Sequence, residues 1–302
     1  MWNLRFCLAL CVPFLLVGGC TRAVGQSPYT HVADVIYGRK FGLALTMDVF
    51  APLENANGAA VVWVVSGGWL SAHQYISLEL SQALIKTLVQ RGYTVFAVVH
   101  SSQPKFNIPE MLPDIDRAVR YIRYHAAEYS IDPDRIGIAG ASSGGHLALM
   151  QAVAGEDGDP GAKDPVGRVS SRVQAVACFF PPSDFLNYGQ PGENALGRNR
   201  LKGFPAPFAF PESDPQKKRA IGRQISPFNH ITPDDPPTLI IHGDQDALVP
   251  LEQSETMIAK LKREGIYAQL IVKHGAGHGW PGIEKDMPKI ADWFDKYLPK
   301  SF

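Results

Sequence analysis

Beyond its first twenty residues the chain holds one cysteine, Cys178. The other three, Cys7, Cys11 and Cys20, cluster at the N-terminus, so a small fold stapled by disulfides is excluded. Charge of one sign is missing as well. Lys and Arg number 29, Asp and Glu number 29, and the densest basic run is Lys217-Lys218-Arg219. Nucleic-acid binding needs clustered cations against phosphate, and nothing here supplies them. Internal repeats and low-complexity tracts are absent, which argues against solenoid and fibrous folds. What remains is an ordinary globular composition, 45% hydrophobic and 19% charged over 302 residues. A chain of that length buries roughly three-quarters of its unfolded surface and holds a core without metal or disulfide.

Residues 1–25 read as an export signal. Met1–Arg5 is short and basic, and Phe6–Val17 is an unbroken apolar stretch of twelve residues. A helix across a bilayer takes about twenty, so this stretch suits the apolar centre of a signal peptide instead. Two cleavage points fit. Val17-Gly18-Gly19-Cys20 resembles a bacterial lipobox, which would leave Cys20 lipidated and the protein attached to a membrane. Ala23-Val24-Gly25, ahead of Gln26, satisfies the small-x-small rule of ordinary signal peptidase. Either reading predicts a bacterial protein that leaves the cytoplasm as a periplasmic, membrane-anchored or secreted form.

The body, residues 26–302, alternates strands and helices. Runs rich in β-branched residues recur at 59–65, 93–99, 135–139, 173–180, 238–241 and 268–272, preceded by an antiparallel pair at 31–37 and 43–50. Several runs are apolar on both faces, as in a sheet covered on both sides. Met111, Leu112, Ile115, Val119 and Ile122 carry a helical stripe, and 147–154, 251–263 and 290–298 are further helices. The alternation predicts one doubly wound α/β domain with a mostly parallel eight-stranded sheet and helices on both faces. From about 188 to 236 the rhythm breaks into a proline-rich stretch, too long for an ordinary connection. Such an insertion suits a lid. Its Phe204, Phe208 and Phe210 either wall a pocket or pin the insertion to the body.

Chemistry gathers in loops that follow strands. Gly140-Ala141-Ser142-Ser143-Gly144 joins a strand to a helix, the context that a nucleophile elbow requires. The tight turn would expose the Ser142 hydroxyl at a helix N-terminus, where the helix dipole favours developing negative charge. A serine needs a base, oriented in turn by an acid. The strand at 238–241 runs into His242-Gly243-Asp244-Gln245-Asp246, and the last strand runs into His274-Gly275-Ala276-Gly277-His278. The order Ser142, Asp246, His278 is that of one hydrolase architecture.

These motifs resemble the α/β-hydrolase superfamily, and within it the esterases with an HGGxW oxyanion motif: feruloyl-esterase-like, acetylxylan-esterase-like and hormone-sensitive-lipase-like enzymes. The likeness runs from roughly Ala59 to the C-terminus and rests on Gly140–His146, His242–Pro250 and Gly275–Gly279. It implies an α/β-hydrolase fold, with Asp246 as triad acid and His278 as base. Rivals are Asp244 and Asp184 for the acid and His274 for the base, while His146 and His242 read as structural. Where the family has His-Gly-Gly, this chain has Ser66-Gly67-Gly68-Trp69. Gly67, Gly68 and Trp69, with Ser143, are the expected oxyanion hole, and Ser66 takes over the bracing of the missing histidine in weaker form. Trp69 reads equally as pocket wall or core.

No cofactor is implied. His274 and His278 would share a metal only on a helix, which the intervening glycines oppose, and Glu156-Asp157-Gly158-Asp159 lacks the rest of a calcium loop. The expected activity is hydrolysis of carboxylic esters, short-chain or aromatic, including esters on polysaccharides. A prolyl-oligopeptidase-like serine exopeptidase, an acyltransferase and a catalytically inactive surface-binding module are the alternatives.

Overall fold

The computed structural model describes residues 28–300, so the export signal and Cys20 lie outside the described residues. Eight strands appear in chain order: β1 (Tyr29–Lys40), β2 (Leu43–Pro52), β3 (Ala60–Val65), β4 (Thr94–Val99), β5 (Ile136–Ala141), β6 (Ala175–Phe179), β7 (Thr238–Gly243) and β8 (Ala268–Lys273). They form one sheet in the order β1-β2-β4-β3-β5-β6-β7-β8. β1 and β2 pair antiparallel, β2 meets β4 antiparallel, and every pairing from β4 to β8 is parallel.

The central strands are apolar on both faces because each face has its own core. In β3, Val62 and Val64 enter one hydrophobic cluster, while Val61, Trp63 and Val65 enter the other. All five are at most 3% exposed. Burying one such side chain contributes roughly 1.5–3 kcal/mol relative to leaving it in water. The first cluster is covered by α2 (Ile108–Tyr124), α3 (Ser143–Ala154) and α5 (Leu251–Arg263); the second by α1 (Glu79–Gln90) and α6 (Met287–Tyr297). This is the α/β-hydrolase fold. Asn107 starts α2 with a reciprocal cap, accepting from the Glu110 N–H while the Glu110 carboxylate accepts from the Asn107 N–H.

Two helices stand where the sequence reading has none. Helix α1 carries its apolar stripe through Leu84, Ile85, Leu88 and Val89 but opens without a side-chain cap at Leu78. Helix α4 (Pro215–Gln224) is almost wholly polar and starts on Asp214, whose side chain accepts from the Gln216 N–H. It lies inside the long connection between β6 and β7, which extends a few residues beyond 188–236 at its N-terminal end. That connection leaves the C-terminal edge of the sheet and packs back over the loops that follow β3, β5 and β7.

Candidate active site

β5 ends at Ala141 and α3 begins at Ser143, so the turn between them is Ser142 alone. Its backbone stands at φ +53° and ψ −122°, a strained conformation costing of order 1–3 kcal/mol. Glycines make the turn possible. A Cβ on Gly140 would lie 2.3 Å from the Gly144 backbone, and one on Gly144 would lie 2.5 Å from the Val64 carbonyl oxygen. The Ser142 hydroxyl is therefore presented by a rigid corner rather than by a loop.

His278 arrives from the loop after β8, and its Nε2 lies 2.9 Å from Ser142 Oγ. Its Nδ1 is 2.7 Å from Asp246 Oδ2. A ring nitrogen facing a carboxylate carries the proton, so Nδ1 donates and Nε2 turns a lone pair to the serine hydroxyl. Asp246 is held from every side. Its Oδ1 accepts the backbone N–H groups of Leu248 and Val249, each at 2.9 Å. Its Oδ2 accepts from His278 and also from His242 Nε2 at 3.2 Å. Burial alone would raise this carboxyl's pKa, but the hydrogen bonds from His242 and His278 outweigh it and hold the group well below the usual carboxylate range.

The rival residues are placed elsewhere. Asp244 accepts from His274 Nδ1 at 2.9 Å and from the Gly275 N–H at 2.8 Å, bracing the loop on its exposed side. Asp184 accepts from the Leu186 N–H and the Asn187 amide. Ser142, His278 and Asp246 thus share one hydrogen-bonded line, and Asp184, Asp244 and His274 stand outside it. Among the described residues no cluster of three or more His, Cys, Asp or Glu side chains is placed to hold a metal ion.

After β3 the chain makes a two-residue turn. The Gly67 N–H donates to the Leu70 carbonyl at 2.9 Å and the Leu70 N–H donates back at 3.0 Å. The Gly67 N–H is therefore already engaged, a correction to the expectation that it serves an oxyanion. The N–H groups of Gly68, Trp69 and Ser143 donate to nothing among the described residues. Gly68 and Trp69 both have positive φ, +57° and +61°, as a primed two-residue turn requires. For Trp69 that backbone is unfavourable. The indole, 2% exposed among Phe185, Phe204, Phe208 and His146, compensates by burial, so Trp69 is a core residue.

Three contacts lie beyond the sequence motifs. Phe180, just past β6 at φ +37°, sets its ring 4.5 Å from the His278 imidazole. Phe204 of the insertion lies against Gly68 so closely that a Cβ there would be 2.5 Å from its ring. His242 shares the Asp246 carboxylate, and the only trace of this in sequence is their i,i+4 spacing.

A family model for BD-FAE matches residues 47–261 of the chain. A probable carboxylic ester hydrolase, LipM, of Mycobacterium tuberculosis is 28% identical over 256 residues, covering 80% of this chain and 55% of that protein. A probable isoprenylcysteine alpha-carbonyl methylesterase of Arabidopsis thaliana is 28% identical, covering 92% of this chain and 57% of its own length. The chain spans little more than half the length of these curated relatives. Among solved structures, a truncated carbohydrate esterase from gut microbiota superposes with a TM-score of 0.77 at 28% identity, over 91% of this chain and 99% of that one. With a family model matched over more than two-thirds of its length, the chain belongs to the BD-FAE family.

Proposed function

We propose that the protein is a carboxylic ester hydrolase that works through a Ser142–His278–Asp246 triad and an acyl-enzyme. The observation that carries the reading is the line of contacts itself, 2.9 Å from serine to imidazole and 2.7 Å from imidazole to carboxylate. His278 Nε2 takes the Ser142 proton as Oγ attacks the ester carbonyl carbon. The resulting oxyanion rests on the N–H groups of Gly68, Trp69 and Ser143. The C–O bond to the alcohol breaks as His278 protonates the leaving oxygen. Water, deprotonated by the same imidazole, then releases the acid and restores Ser142.

Small acyl groups, with polysaccharide-linked esters among the substrates, are favoured by two things. Phe204 closes one side of the Gly68 turn, and the gut-microbiota relative is named a carbohydrate esterase. The domain from residue 26 onward would act outside the cytoplasm, with the insertion as its lid. Mass analysis of the exported protein tests the signal: a lipidated Cys20 or a free Gln26 as first residue supports it, and retention of Met1 contradicts it.

Hydrolysis of p-nitrophenyl esters from acetate to long acyl chains, by wild type beside Ser142→Ala, tests the chemistry. The reading predicts a peak at short chains and a loss of at least about 10⁴-fold in the folded variant. Activity that survives in Ser142→Ala refutes it. Turnover of peptides in place of esters would move the exopeptidase reading ahead.

A further inference from the structure

The proposed oxyanion donors come from two separate segments, the turn after β3 and the first turn of α3. The sheet joins their bases, but the last paired residues of β3 and β5 are Val64 and Gly140. Past that point no strand pairing fixes the distance between Gly68 or Trp69 and Ser143. Two side-chain bonds do. Ser66 Oγ lies 3.0 Å from Ser143 Oγ, and the Trp69 indole N–H donates to His146 Nδ1 at 3.2 Å. The spacing is matched, with three residues from Ser66 to Trp69 and three from Ser143 to His146.

We infer that Ser66 and His146 are positioning residues, two rungs that clamp the turn after β3 to the first turn of α3 and so hold the oxyanion donors at their working separation. The inference rests on the reading of Ser142 as nucleophile. It gives His146 of the Gly140–His146 motif a role, and it gives one to the serine that replaces the family's histidine.

The chemistry of each rung suits the task. His146 is fully buried, and burial lowers its pKa to about 4. The ring is therefore neutral around pH 7, with Nδ1 free to accept from Trp69. Its Nε2 carries the proton and donates to the Ile225 carbonyl at 2.7 Å. Ile225 caps the C-terminal end of α4 in the insertion, the same insertion that lays Phe204 on Gly68. The second rung thus also fastens the insertion to the site. No charged side chain takes part in either rung, so the clamp is held by geometry and hydrogen bonding alone.

A donor displaced by even 1 Å costs up to about 100-fold in rate, because the hole is matched to the transition state and not to the bound ester. The test compares Ser66→Ala, Ser66→Thr, Trp69→Phe and the Ser66→Ala/Trp69→Phe pair on p-nitrophenyl acetate, with Ser142→Ala alongside. Trp69→Phe keeps an aromatic ring but removes the indole N–H together with part of the buried bicycle, so the Ser66→Ala and Ser66→Thr pair is the cleaner probe of a rung. The inference predicts that kcat falls about 10-fold or more in each alanine or phenylalanine variant while KM stays within about twofold. Affinity for a trifluoromethyl ketone, whose adduct carries an oxyanion, should fall in step with kcat. Ser66→Thr should recover most of the loss, and the double variant should lose less than the product of the single losses, as residues acting as a unit do.

Losses confined to KM, or inhibitor affinity equal to wild type, would overturn the clamp. If Trp69→Phe does not fold, Ser66→Ala against Ser66→Thr decides the question alone. An inactive Ser142→Ala beside fully active rung variants sinks this inference and leaves the triad reading standing. An active Ser142→Ala sinks both.

Discussion

Asp246 accepts four hydrogen bonds through two oxygens, and that count sets what a substitution there does. Oδ1 is used by two backbone donors and Oδ2 by two imidazoles. An amide in its place has one oxygen and one NH2 group. Whichever way it turns, a donor meets a donor, either at the Leu248–Val249 turn or at His242 and His278. Asp246→Asn is expected to lose about 10⁴ in kcat by favouring the wrong His278 tautomer. It should also lower Tm, because a buried donor left unpaired costs about 1–3 kcal/mol. Kinetics and thermal melts on the one variant check both effects. A variant with wild-type kcat would show that Asp246 only holds its loop.

At the scale of elements, the connection between β6 and β7 does more than cover. Arg200 donates to the Ala247 carbonyl beside the Asp246 turn, Phe208 and Phe204 pack on Trp69, and Ile225 is bonded by His146. Removing one ring of this set opens the site without cutting the anchors. Phe204→Ala should shift the preferred p-nitrophenyl ester to acyl chains a few carbons longer, with acetate turnover changed less than about 10-fold. An unchanged chain-length profile would show that Phe204 is only an anchor.

The turn at Ser142 is legible in sequence because steric demands press Gly140, Ser142 and Gly144 into five consecutive positions. Strand ends point to the loops of Asp246 and His278 but also to Asp244 and His274, so the choice within each loop rests on the family resemblance and on the glycines around His278. Phe180 on His278 and Ser66 on Ser143 are not legible, since such contacts join residues far apart in the chain without a contiguous pattern. Helix α4 escapes sequence reading for a different reason: of its residues only Gly222 is buried, so it shows no apolar stripe.

For the whole molecule, two fully desolvated imidazoles lower stability as acid is added, and Asp235, raised to about 6 by burial, offsets part of this by taking up a proton in the folded state first. Burial lowers both His100 and His146 from the ordinary value to about 4. Above about pH 6.5 neither the folded nor the unfolded chain protonates them, and their contribution to stability is intact. Between 6.5 and 4 the unfolded chain takes up protons that the folded one refuses, so stability falls as pH falls. Each histidine accounts for up to about 3 kcal/mol across that window. Asp246 is shifted in the same downward direction, but by hydrogen bonds to its charged form and not by burial. Its depressed value stabilises the fold above about pH 4 and is lost only below it, outside this window. Melting curves from pH 7.5 to pH 4.5 should show Tm level down to about pH 6.5 and falling below it, and a profile that stays flat to pH 4.5 in an Asp235→Asn variant would mean that one or both rings can be hydrated in the folded state.

The proposed chemistry stands or falls with Ser142 as the nucleophile, made so by His278. Reaction of the folded protein with a fluorophosphonate, followed by peptide mass mapping, tests it most directly. The account predicts one adduct, on Ser142, that forms slowly or not at all in His278→Ala and is absent from Ser142→Ala. An adduct on Ser66 or Ser143, or no adduct on a folded protein that still hydrolyses esters, would contradict it.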